Sequence, residues 1–150
     1  MTITTHTAHP EDFPRIAAFY RCHDYKPAIS PGDVIVVAEN EGTLCGVVRV
    51  CAEQGVLVLR GMRVRADMQR RGIGTRLLQA VEPEIGEREC FCIPHRYLRS
   101  FYGRMGFEEM DEAEVPSFLR ERCVEYKRDY GLDVIIMRRR NSAKTHQTAD

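Results

Sequence analysis

The chain has 150 residues, the ordinary size of one domain, and its 22 basic residues balance 22 acidic ones. A zero net charge argues against a general nucleic-acid binder, which carries a basic excess. No window approaches the roughly 20 consecutive apolar residues of a membrane span, and six cysteines without a C-x-x-C pair argue against a zinc or thioredoxin-type site.

Residues 2–7 (T-I-T-T-H-T) are dominated by β-branched side chains and predict a first strand. They carry no apolar core of a secretion signal, so a cytoplasmic protein with reduced thiols is expected. Pro10, Glu11 and Asp12 open a helix, because proline in the first turn gives up only an orphan N–H and acids there suit the dipole. Phe13, Ile16, Ala17 and Tyr20 repeat at helical spacing, and this helix is expected to end near His23. The two prolines between Asp24 and Pro31 predict a loop or a broken short helix.

Asp33–Asn40, Leu44–Ala52 and Val56–Val64 read as three strands joined by turns at 40–43 and 53–55, an antiparallel meander. Ile73, Leu77, Leu78 and Val81 then form one face of a helix. That helix is expected to end or kink near Pro83, with Gly86 as a stop. Cys90–Ile93 is a short buried strand closed by Pro94. Tyr97, Leu98, Phe101, Tyr102 and Met105 mark a short helix ending at Gly106, and Phe107–Met110 is the next strand. An acidic run (108–114) precedes a helix that starts at Pro116 and stops at Gly131. Asp133–Met137 is the last strand expected. The order of hairpins and crossover helices predicts a mixed sheet with helices on both faces, in one domain spanning 1–138, followed by a polar tail over 139–150.

Two segments carry chemistry. Gln69-Arg70-Arg71-Gly72-Ile73-Gly74 follows a strand and opens a helix, which gathers free backbone N–H groups at a positive helix end and suits a phosphate or diphosphate. Glycines let the backbone approach closely, and Arg70, Arg71 and Arg76 add charge that pairs well with phosphate oxygens. Phe101-Tyr102-Gly103-Arg104-Met105-Gly106-Phe107 ends a helix entering a strand. The lack of G-x-x-x-x-G-K-[ST] and of G-x-G-x-x-G disfavours a nucleotide-binding protein of another fold.

In this order the two segments resemble the GNAT superfamily of acyl-CoA-dependent N-acyltransferases, in its Q/R-x-x-G-x-G/A and Y-x-x-x-G-F signatures. The resemblance covers about residues 2–138. It implies an α/β fold with a mixed, mostly antiparallel twisted sheet of six to seven strands and helices on both faces. It also implies acetyl transfer from acetyl-CoA, as co-substrate and without a metal, to a primary amine on a small molecule or peptide. No nucleic-acid or membrane partner is expected, and a homodimer is left open. The implied cofactor-binding residues are Met62, Arg63, Val64, Gln69, Arg70, Arg71, Gly72, Ile73, Gly74, Thr75, His95 and Phe101. A bulge at Gly61 would splay the strand at 60–64 from that at 90–93, so that backbone groups of Met62 and Val64 pair with the pantetheine arm.

The implied catalytic residues are Tyr102 and His95. Tyr102 matches the family tyrosine that protonates the departing thiolate; the plainer alternative is a core tyrosine. His95 stands where many members have asparagine, and it could cap the helix, touch coenzyme A or act as a base, the cofactor contact being favoured. The strand offers Arg60, Gly61, Met62 and Arg63 where some members carry a glutamate base. Deprotonation is therefore expected through water, His95, or an acid such as Glu53 or Glu108. This missing carboxylate keeps a second reading open, a non-catalytic acyl-CoA-binding or sensing domain. The acidic run could draw in a cationic acceptor such as a polyamine; a solvated loop is the favoured reading.

Overall fold

A computed structural model describes residues 2–25 and 29–140. Its strands are β1 (Ile3–Thr7), β2 (Val34–Asn40), β3 (Thr43–Glu53), β4 (Val56–Val64), β5 (Cys90–Cys92), β6 (Phe107–Glu109) and β7 (Met137–Arg139). Its helices are α1 (Phe13–Arg21), α2 (Ile73–Ile85), α3 (Arg99–Gly103) and α4 (Ser117–Tyr130). Among the described residues, seven strands make one sheet in the order β1-β2-β3-β4-β5-β7-β6. The β1–β2, β2–β3, β5–β7 and β6–β7 pairs are antiparallel, and β4–β5 is parallel. The mixed, mostly antiparallel α/β sheet is thus as the sequence predicts. The chain divides into two compact units, Met1–Gly55 with Leu59–Gly86 and Val56–Val58 with Glu87–Asp150.

In the first unit, side chains alternate across the β2–β3 ladder, which pairs Val37 with Val47 and Ile35 with Arg49. Ile16, Phe19 and Tyr20 of α1 pack against Ile35, Val37 and Val47. Gly46, the neighbour of Val47 and so on the opposite face, lies against Ile73 and Leu77 of α2. The helices therefore cover both faces here. At the start of α1, the Asp12 carboxylate accepts the His9 backbone N–H at 2.9 Å, as the acidic first turn implies.

In the second unit, Leu119 and Cys123 of α4 close a core with Val58, Phe91, Val115, Val134 and Ile136. α4 begins after Pro116 and ends at Gly131, as expected.

The sequence expects the helix at 73 to end or kink near Pro83 with Gly86 as a stop; α2 runs through Pro83 to Ile85 and stops at Gly86 as expected. Pro83 is exposed while Val81 and Ile85 are fully buried, so the lost ladder bond faces water and core packing carries the helix past it. The last strand is not Asp133–Met137 but Met137–Arg139, with Val134 making a single bridge to His95. The register pairs Cys92 with Met137, which sets Pro94 opposite Ile135. The Ile135 N–H donates to the Pro94 carbonyl at 3.0 Å, but proline has no N–H to return, and the ladder is interrupted.

Residues 141–150 of the expected tail and residues 26–28 of the expected loop lie outside the described residues. Cys22 is exposed, the other five cysteines are buried, and all six are free thiols. Among the described residues no helix is long and apolar enough to cross a membrane.

Candidate active site

β4 carries the first part of the candidate site. Gly61 sits in the left-handed region at φ +66°, the conformation glycine adopts at a bulge. The Tyr20 hydroxyl, fully buried on α1, donates to the Gly61 carbonyl at 2.8 Å and fixes this kink. Burial pushes the Tyr20 hydroxyl well above the ordinary tyrosine pKa, although the Arg49 guanidinium pulls it back. A Cβ at Gly61 would come within 2.6 Å of that hydroxyl. Gly61→Ala is therefore expected to cost about 2–4 kcal/mol, from left-handed strain and overlap together. Urea denaturation measures it. Adding Tyr20→Phe should recover part of the loss by removing the colliding oxygen, and a loss below about 1 kcal/mol would rule out a rigid kink.

Around the kink lies a polar cluster that the sequence reading missed. Arg49 is only 1% exposed. Its guanidinium donates to Asp33 Oδ2 at 2.9 Å and to the Tyr25 hydroxyl at 3.1 Å, and lies 5.8 Å from the Tyr20 ring centre. Asp33 also accepts the Ser30 backbone N–H at 3.0 Å. Tyr20 and Tyr25 meet edge to face. The Arg63 guanidinium stacks on the Tyr25 ring at 4.5 Å and donates to the Met62 carbonyl at 2.8 Å. The available signal was a single arginine inside the apolar run Leu44–Val50, since a buried charge requires a partner. Glu53, one of the acids considered as a base, is tied to Arg60 at 3.3 Å.

The glycine turn is the second part of the candidate site and belongs to the same unit. Arg65 clamps Asp67 through two hydrogen bonds, at 3.0 and 2.6 Å, and so anchors a short 3-10 turn over Ala66–Met68. Arg70 at φ +64° and Gly72 at φ +80° then reverse the chain into α2. Gly72 is the N-terminal cap, and among the described residues no side-chain cap hydrogen bond is made there. The Arg76 N–H bonds to the Gly72 carbonyl at 3.0 Å, so the amides of Ile73, Gly74 and Thr75 precede this point of the ladder. A Cβ at Gly72 would meet nothing within 4 Å. Gln69 donates to the Val64 carbonyl at 3.3 Å and ties the turn to β4. Arg70, Arg71 and Arg76 are exposed. These features fit a diphosphate. Met62, Arg63, Val64 and Gln69–Thr75 are thus brought together on one strand–turn–helix segment.

The second unit holds the other expected residues. Its β4–β5 ladder pairs Leu57 with Cys90 and Val58 with Phe91. Tyr102 on α3 is 6% exposed and sits edge-on to Phe101 and Phe107, at 5.0 and 6.2 Å. His95 precedes the 3-10 turn Arg96–Leu98 and stacks on Tyr97 at 5.4 Å, but makes no side-chain cap, which removes the capping alternative.

The acidic run is largely engaged. Glu109 pairs with Arg96 and Arg99, Glu112 pairs with Lys127, and Asp111 caps the 3-10 turn Glu112–Glu114. Among the described residues no group of three or more His, Cys, Asp or Glu side chains could hold a metal ion.

The family model described as an acetyltransferase (GNAT) domain matches residues 6–119. The chain is similar in structure to N-acetylglutamate synthase from Neisseria gonorrhoeae complexed with coenzyme A and N-acetyl-glutamate, with TM-score 0.66 and 23% identity. That match covers 94% of this chain and only 35% of the synthase, so the chain spans about a third of that protein. It is also similar to the ribosomal-protein-S18-alanine N-acetyltransferase from Escherichia coli, with TM-score 0.69 and 16% identity over 93% of this chain and 94% of that one. An acyl-CoA N-acyltransferase from Pseudomonas aeruginosa matches with TM-score 0.64 and 19% identity, over 92% and 99% of the two chains. No curated protein matches the sequence. At these identities the structural likenesses speak to the fold alone.

Proposed function

This chain belongs to the GNAT acetyltransferase domain family, and from that membership we propose that it transfers an acetyl group from acetyl-CoA to a primary amine by direct attack on the thioester. The observation that carries the reading is the uncapped, left-handed entry into α2, with its arginines. It supports anion binding by the amides of residues 70–75, assisted by Gln69, Arg70 and Arg71. In this reading the backbone of Met62, Arg63 and Val64 aligns the pantetheine arm, and an N–H there polarises the acetyl carbonyl. Phe101 packs against the arm.

The amine nitrogen forms the new bond to the carbonyl carbon as the carbon–sulfur bond breaks. Tyr102 gives its proton to the sulfur, and the amine proton leaves through water or His95. His95 is also a candidate contact to the donor. Tyr102 regains its proton from solvent.

The test combines calorimetric titration with acetyl-CoA and thiol release across a panel of amines: polyamines, free amino acids and short peptides. Binding together with amine-dependent thiol release is expected. Binding without such release would instead support a non-catalytic sensing domain, which the missing strand carboxylate favours. Absence of acetyl-CoA binding would overturn both readings.

A further inference from the structure

We propose that the acceptor carries a carboxylate beside its reacting amine, as a free amino acid does, and that Arg63 and Tyr25 hold that carboxylate. The inference rests on the acetyl-transfer reading above and specifies its second substrate.

The arginines of β3 and β4 and the one just after β4 differ in how they are answered. Arg49 is neutralised by Asp33, Arg60 by Glu53 and Arg65 by Asp67. Arg63 differs. Its guanidinium carbon lies over the Tyr25 ring, 4.5 Å from its centre, and the group gives one hydrogen bond to a neutral acceptor, the Met62 carbonyl. Among the described residues, no carboxylate lies within ion-pair distance of it. Arg63 is half-buried, and a cation partly removed from water is costly to leave without an anion. Its planar fork has further N–H donors in the geometry that suits a carboxylate.

Tyr25 supplies the second donor. Its hydroxyl oxygen accepts from Arg49, which leaves its proton for an oxygen outside this network. The Arg49–Asp33 pair thus orients Tyr25, and Tyr25 orients Arg63 by stacking. Arg63 is in turn bonded to Met62, whose backbone the proposed function places along the pantetheine arm, next to the acetyl carbonyl. A carboxylate held at Arg63 therefore places an amine a few bonds away near the same strand position.

A polycationic acceptor would meet repulsion at Arg63. Within the acidic run, Glu109 is already paired with Arg96 and Arg99, and Glu112 with Lys127.

The test measures kcat/KM at saturating acetyl-CoA for the common L-amino acids and for their α-carboxamides, with the full chain. The best free amino acid is expected to exceed its carboxamide by about 100-fold, and Arg63→Gln should bring that ratio toward unity through acceptor KM. Arg63→Lys should restore part of the preference. The wild-type ratio decides the question even if a variant fails to fold: equal or better turnover of carboxamides or polyamines overturns the carboxylate assignment. A ratio unchanged in Arg63→Gln overturns it too. In both cases acetyl-CoA binding and transfer stand, whereas loss of acetyl-CoA binding by the wild type removes the transferase reading itself and this inference with it.

Discussion

Tyr102→Phe is expected to lower kcat by about 10²–10⁴-fold, the usual worth of a positioned general acid, while the KM for acetyl-CoA stays close to wild type. The ring is held by edge-on contacts with Phe101 and Phe107, which phenylalanine would keep. The variant therefore removes an oxygen and little packing, and its stability should change by only about 1 kcal/mol. A fall in kcat without a change in donor KM identifies an interaction made in the transition state. Turnover with a good thiol leaving group, such as an activated aryl thioester, should be much less affected, because such a sulfur leaves without protonation. Near-normal turnover of acetyl-CoA by the variant would remove Tyr102 from the mechanism and leave it a core residue.

Asp33→Ala should unfold the protein more readily, by about 3–5 kcal/mol, because it leaves the Arg49 guanidinium buried without its counter-ion. For a chain of this length, that corresponds to a fall in Tm of roughly 10 °C. The side chains of Arg49 and Asp33 are 1% and 6% exposed, so water does little to compensate. Asp33 also holds the Ser30 N–H, and that bond is lost as well. The double variant Asp33→Ala, Arg49→Met should recover much of the loss, since it removes both charges from the interior. Thermal and urea unfolding of the single and double variants measure this. A single-variant loss below about 1 kcal/mol would mean that solvent reaches the pair.

The effect on function should be distinct. Tyr25 hangs on Arg49, and Arg63 hangs on Tyr25, so the double variant should fold yet bind a carboxylate acceptor weakly.

Most elements were legible because their signals are local. Pro10 and Pro116 precede helices, Gly86 and Gly131 end them, and short β-branched runs bounded by turns became β1 to β4. At two places packing outweighed a local rule. α2 passes through Pro83 because Val81 and Ile85 are anchored in the core. The apolar stretch before β7 reads as a strand, but Pro94 on its neighbour interrupts the ladder there.

By itself the sequence determined the element order, the kink residue Gly61 and the glycine turn at 69–74. Each depends on backbone preferences within a few residues, which composition and spacing record directly. Only the tertiary structure decided which charges are answered. Tyr25 and Asp33 come from the stretch between α1 and β2, Arg49 from β3 and Arg63 from β4, and no periodicity links them. Whether an arginine is neutralised at 2.9 Å or left facing a ring depends on how strands and helix stack in space, and Coulomb interactions follow that distance rather than position along the chain.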